Sequence, residues 1–267
     1  MILTVTPTPA LDLTWHVDRL TLGELGASGV PHRLGPVVGA TRQSSALVDE
    51  ALGDTTVVNE RGANPTDPEW AALLGEVVDA LPGAQVLVIS GSLPPGAPET
   101  LLPLLIGTAR DAGVPVIVDT SGAAMLHAAD AGASVLKPNA AELVEASGIT
   151  DPVEGARSLI DRGVDLVLLS LGAEGMLAVT ASEVLHARLD APLAGNPTGA
   201  GDAGVAACAV LYADGIRDSA VILRRATAWS AAAVLMPLAG EISDEWEALE
   251  QRLLVAPYDP IAREDPL

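Results

Sequence analysis

The chain has 267 residues, 49% of them apolar and 18% charged, which suits a protein with a large buried core and excludes a disordered one. Fourteen Lys and Arg against 35 Asp and Glu leave a net charge of −21, a surface that repels phosphate backbones and argues against nucleic-acid binding. The one cysteine, Cys208, cannot form an internal disulfide, and no apolar run reaches the about 18–20 residues of a membrane span.

The first strand is expected over Met1–Thr6, with no basic leader before it, so a cytoplasmic protein is expected. Asp12–Asp18, Ser28–Arg33, Ala40–Glu50 and Thr55–Asn59 alternate partially between Gly-containing turns and predict a small β-sheet. From Asp67 the text changes to helices alternating with apolar strands. Helices are expected over 69–81, 98–112, 123–131, 140–147 and 152–162, and strands at Val86–Ile89, Val114–Asp119, Ser134–Lys137 and Leu166–Leu171. That alternation implies a mostly parallel sheet covered on both faces. Met176–Val179 and Glu183–Ala187 predict a hairpin added to it, followed by Ala-rich helices over 200–213 and 217–236. Beyond Glu241 one more helix and a loose, acidic, Pro-rich end are expected. Cys208 reads as a small buried hydrophobe, and Trp229 and Trp246 as packing residues.

In such a sheet, ligands bind beyond the carboxyl ends of the strands, and the polar clusters of this sequence fall there. They are Ser90-Gly91-Ser92, Asp119-Thr120-Ser121-Gly122, Lys137-Pro138-Asn139, Ser170-Leu171-Gly172 and Asn196-Pro197-Thr198-Gly199-Ala200-Gly201-Asp202. The last runs straight into a helix. Small residues at a helix start let backbone N–H groups close around an anion. A carboxylate at the same place, Asp202, suits a base that takes a proton from an attacking hydroxyl during phosphoryl transfer. The plainer alternative is a tight turn with Asp202 as a first-turn charge on the helix dipole. Lys137, the only lysine, is either a triphosphate contact or a solvated strand end.

The ordered set Ser-Gly-Ser-Leu-Pro-Pro-Gly, Val-Asp-Thr-Ser-Gly, Lys-Pro-Asn-x-x-Glu-Leu, Ser-Leu-Gly-x-x-Gly and Asn-Pro-Thr-Gly-Ala-Gly-Asp-Ala resembles the PfkB sugar kinases of the ribokinase-like superfamily. Within it the nearest pattern is the 1-phosphofructokinase and tagatose-6-phosphate kinase branch, over nearly all of residues 1–245. The resemblance implies a three-layer α/β/α ribokinase-like core, one domain over 1–267, with 11–60 forming most of a β lid. It implies ATP-dependent phosphorylation of a sugar or sugar phosphate, with Asp202 as base and the N–H groups of Gly199, Ala200 and Gly201 as the anion hole. Thr198, Ser170, Gly172, Gly175 and Lys137 would contact the nucleotide, and Asn139 and Glu142 would organise Mg²⁺ and the phosphates, largely through water. Mg²⁺ suits that role because it prefers oxygen ligands and keeps its water shell. Asp12 matches a carboxylate that holds sugar hydroxyls, and Arg42 the arginine that meets a substrate phosphate. For Glu142 and Arg42 the plainer alternatives are a helix-start charge and an exposed strand charge.

One segment departs from the family. Its members carry Gly-Gly-Lys-Gly-x-Asn after the second lid strand, then helix, strand and helix. Here Val30-Pro31-His32-Arg33-Leu34-Gly35-Pro36 leads almost directly to Thr41-Arg42, a shortening of roughly forty residues at typical element lengths. The lysine and asparagine are absent. Gly204 also stands where the family carries a bulkier residue. The missing strand would leave Met1–Thr6 as a sheet edge, which invites a second copy of the chain, so a homo-oligomer is expected. The alternative to an active kinase is a nucleotide-binding homologue that has lost turnover. A dinucleotide-dependent oxidoreductase is disfavoured, since no Gly-x-Gly-x-x-Gly follows a parallel strand.

Overall fold

The computed structural model describes residues 1–8, 10–13, 33, 35, 37–39, 41–49, 54–94 and 96–259, with backbone only for 10–13, 44–49 and 54–59. Strand β1 (Ile2–Val5) is followed by β2 (Ala10–Leu13), β3 (Arg42–Asp49) and β4 (Asp54–Asn59), and these last three form a separate sheet in the order β2-β3-β4. The expected small sheet is therefore present. Of its predicted strands, Ser28–Arg33 lies outside the described residues, Arg33 excepted, and so do residues 14–18 of Asp12–Asp18.

The alternating half follows the sequence closely. It runs α1 (Asp67–Ala80), β5 (Val86–Ser90), α2 (Leu101–Asp111), β6 (Val116–Asp119), α3 (Ala123–Asp130), β7 (Val135–Leu136), α4 (Ala140–Ser147), α5 (Pro152–Asp161) and β8 (Leu166–Ser170). Then come β9 (Met176–Val179), β10 (Val184–Arg188), α6 (Ala200–Ala213), α7 (Ser219–Val234), α8 (Trp246–Arg252) and β11 (Leu254–Pro257). Local chemistry fixes the helix starts. Asp151 accepts from the N–H groups of Val153 and Glu154 while Pro152 occupies the first turn, and Asp218 caps α7 through the Val221 N–H.

The main sheet has the order β1-β5-β6-β7-β8-β9-β10-β11, parallel from β1 through β8 and antiparallel beyond. Its central strands are apolar on both faces because both are covered. Leu87, Ile89, Val118 and Leu169 belong to a core shared with α1–α5, whereas Val86, Val88, Ile117 and Leu168 pack beneath α6 and α7. The buried runs end at Ser90, Asp119 and Ser170, so polar side chains emerge together along one end of the sheet.

Part of the C-terminal segment expected to be loose is a strand, and residues 260–267 lie outside the described residues. β11 pairs antiparallel with β10, and Val255 packs against the core under α6. Pro257 is tolerated because it ends an edge strand, where a missing N–H costs little. At the opposite edge, β1 pairs only with β5 among the described residues. Ile2 is 37% exposed although its register partner Val86 is fully buried. Among the described residues, the α6 side of the sheet is closed over Val86 of β5 and left exposed at Ile2 of β1. Cys208 is fully buried, and burial pushes its thiol up to about 12, as suits a packing residue. Trp229 and Trp246 meet edge to face at 6.0 Å. No helix among the described residues is long and apolar enough to cross a membrane.

Candidate active site

The start of α6 brings the sharpest motif to the polar end of the sheet. Asn196 anchors the loop before it: its N–H donates to Val234 O at 2.9 Å and its side-chain amide to Pro237 O at 3.1 Å. Its Oδ1 accepts from the Thr198 N–H at 3.0 Å, so Thr198 is held through its backbone. Gly199 then caps α6 at φ +84°, a left-handed conformation that favours glycine. A Cβ there would lie 3.1 Å from that of Ala239, so the turn also needs the space.

Of the three predicted anion-hole amides, that of Ala200 is already engaged, donating to Pro197 O at 3.1 Å. The amides of Gly199 and Gly201 have no partner among the described residues. Asp202 follows in the first turn, exposed, with the Ser90 hydroxyl donating to its Oδ1 at 3.4 Å. This leaves a carboxylate beside two unengaged N–H groups at a positive helix end.

Lys137 emerges from β7 directly beneath that turn. Its side chain is 4% exposed, and Nζ lies 3.4 Å from Asp119 Oδ2. A Cβ on Gly201 would sit 3.3 Å from Nζ, so glycine at that position lets the ammonium approach. Burial raises the Asp119 carboxyl to about 6; the Lys137 charge opposes the rise, and the charges of Glu142 and Asp202 add to it. Lys137 is therefore no solvated strand end. Asp119 joins this candidate site, although the sequence showed it only as the last residue of a strand and the first of a polar cluster. Its loop is tied to β5 by the Gly91 N–H donating to Asp119 O and by the Thr120 hydroxyl donating to Gly91 O.

Asn139 and Glu142 form a reciprocal cap on α4. Asn139 Oδ1 accepts from the Glu142 N–H, and Glu142 Oε2 accepts from the Asn139 N–H, both at 2.9 Å. The helix-start role of Glu142 is thus realised, with its second oxygen outside that cap. Ser170 lies alongside through a parallel bridge to Asn139, its N–H donating to Pro138 O. Asn139, Ser170, Leu171, Gly172 and Glu174 share the wall of a cleft of about 400 Å³. Gly175 sits at φ +94°, and a Cβ there would reach Ala187 O at 2.1 Å, so this loop closes against β10 only with glycine.

The two residues expected to meet the sugar, Asp12 and Arg42, lie on the second sheet. Asp12 lies in β2, in register with Ser44, and its side chain is outside the described residues. Arg42 opens β3 and donates through Nε to Thr8 O at 3.1 Å, which ties the second sheet to the end of β1. Among the described residues no three His, Cys, Asp or Glu side chains close around a direct metal site.

The profile of the pfkB family carbohydrate kinases matches residues 18–246. A 1-phosphofructokinase of Xanthomonas campestris is 35% identical over 237 residues, covering 81% of this chain and 74% of the relative. The ATP-dependent 6-phosphofructokinase isozyme 2 of Mycobacterium tuberculosis is 34% identical over 198 residues, covering 72% and 58%. The solved phosphofructokinase-2 of Escherichia coli superposes with a TM-score of 0.70 at 29% identity, covering 78% of this chain and 70% of that one. A Thermotoga maritima structure with TM-score 0.80 and 21% identity, covering 97% and 99%, shows the same fold.

Proposed function

The chain belongs to the pfkB family of carbohydrate kinases, and from that premise we propose that it transfers the terminal phosphoryl group of ATP to a hydroxyl of a sugar phosphate. The observation that carries this reading is the exposed Asp202 carboxylate beside the unengaged amides of Gly199 and Gly201. Asp202 takes the proton of the sugar hydroxyl as its oxygen attacks the γ-phosphorus, while the bond from that phosphorus to the bridging oxygen of ADP breaks. The two amides hold the equatorial oxygens of the transferring group, where charge is densest in the transition state. The cleft walled by Asn139, Ser170 and Gly172 supports nucleotide binding nearby.

The oxygen-rich surroundings suit Mg²⁺. Asn139 and Glu142, fixed by their mutual cap, would hold it through water, since Mg²⁺ prefers oxygen ligands and keeps its hydration. When bound, Mg²⁺ neutralises phosphate charge. Asp12 and Arg42 are the proposed sugar-hydroxyl and substrate-phosphate contacts.

A second reading, a nucleotide-binding homologue without turnover, draws on the short passage from Val30 to Arg42, which lacks the lysine and asparagine of the family pattern. Coupled measurement of ADP release against a panel of sugar phosphates, with calorimetry of Mg·ATP binding in parallel, separates the two. Sugar-dependent turnover supports the kinase. Binding without turnover favours the second reading, and no binding at millimolar Mg·ATP overturns both.

We propose further that the chain is a homo-oligomer, with the open β1 edge as the contact. The charge of −21 opposes association, so self-association should strengthen as salt screens it. Light scattering should show a larger species at high salt than at low salt. A monomer under both conditions would refute the proposal.

A further inference from the structure

We infer that Ser230 is a positioning residue of the anion hole and that Gly204 is the vacancy that lets it act; this rests on the kinase reading of the α6 start. Ser230 lies on α7, half-buried, and its hydroxyl donates to Ala200 O at 2.8 Å. That bond crosses from one helix to another. A serine inside a helix ordinarily returns its hydroxyl to the carbonyl four residues back in its own helix. Thr227 of the same helix does so, donating to Leu223 O at 2.7 Å. Ser230 instead reaches the first turn of α6.

The carbonyl it reaches matters. Ala200 C=O and Gly201 N–H belong to one planar peptide group and point in opposite directions. A donor that fixes the carbonyl therefore fixes the direction of the Gly201 N–H, one of the two unengaged amides beside Asp202. It also polarises that peptide, making its N–H a stronger donor. The Ser230 bond acts on the side of the peptide remote from the anion and touches neither nucleotide nor sugar.

Gly204 explains itself in the same geometry. A Cβ at that position would lie 2.7 Å from Ser230 Oγ and 3.6 Å from Lys137 Cδ. Any larger residue would push the hydroxyl off the Ala200 carbonyl. The glycine that weakens the middle of α6 by helix propensity is the one that admits the cross-helix bond.

The test is a double-mutant cycle of Ser230→Ala, Gly204→Ala and the double variant, followed by kcat, KM, melting temperature and the ratio of Mg·ATP to Mg·ADP affinity. Each single variant should lower kcat by about 10-fold, less than deletion of an anion-hole donor outright, with KM for the sugar phosphate within twofold. Preference for ATP over ADP should fall by about three- to tenfold, because only ATP presents the phosphoryl group to that amide. The double variant removes the clash and gains a better helix former, so its melting temperature should reach or exceed wild type while kcat stays as low as in Ser230→Ala. A merely structural role would restore activity together with stability. Wild-type kcat and wild-type ATP preference in the stable double variant would overturn the inference, as would single-variant losses that multiply. If the unmutated protein binds Mg·ATP without turnover, the kinase reading alone fails, and the ATP-to-ADP preference decides the role of Ser230.

Discussion

Asp202→Asn should lower sugar-dependent ATP consumption by about 10²–10⁴-fold, the range expected for removing a general base. The amide keeps the shape of the carboxylate, and the Ser90 hydroxyl, 3.4 Å away, can donate to its oxygen as before. Asp202 is exposed in the first turn of α6, so no buried partner loses its bond and the fold should persist. Mg·ATP affinity should hold or rise, because the variant removes a negative charge beside the site of the γ-phosphate. Rapid measurement of ADP release, with melting temperature and calorimetry as controls, reads all three. A variant within about fivefold of wild-type turnover would remove Asp202 from the role of base and leave it as a helix-start charge.

The alternating half of the molecule was legible because its physics is local. Val86–Ile89 and Leu166–Leu169 are buried on both faces, and such strands read as unbroken apolar runs. The helices expected over 152–162 and 217–236 begin in the structure at caps made by Asp151 and Asp218. β11 was not legible. Leu254–Pro257 is four residues before an acidic, Pro-containing end, and it becomes a strand only because β10 offers it a pairing edge. The site divides the same way. The Gly199-Ala200-Gly201-Asp202 motif is contiguous, so its place at a helix start could be read directly. Which of its amides is engaged could not, since that depends on the turn that bonds Ala200 N–H to Pro197 O. Asp119 and Ser230 join the site through packing of α6 against β6 and α7. Their partners are remote in sequence, and no spacing rule exposes such pairs.

Lys137→Met should destabilise the protein by about 3–5 kcal/mol at pH 8, the cost of leaving one member of a buried ion pair unmatched. The Lys137 side chain is 4% exposed and that of Asp119 19%, so solvent screens little of their attraction. Methionine fills the volume of the lysine stem and so isolates the loss of charge from the loss of packing. The pH dependence gives the prediction its edge. Burial already raises Asp119 from 3.8 to about 6, so between these values the folded chain binds the proton more readily than the unfolded one. Its contribution to stability therefore falls as pH rises through that window and is least favourable above it. Lys137 opposes the rise, so its removal should push Asp119 higher still, with the charges of Glu142 and Asp202 acting in the same direction. At pH 5 the carboxyl of the variant is protonated and uncharged, and the deficit against wild type should shrink to about 1–3 kcal/mol, that of an unsatisfied buried polar group. Urea unfolding at pH 5 and pH 8 measures both. Adding Asp119→Asn to the lysine variant should recover part of the pH 8 loss, because the charge that lacked a partner is gone. An equal deficit at the two pH values, with no recovery in the double variant, would mean that Lys137 stabilises the turn by packing and that its pairing with Asp119 contributes nothing.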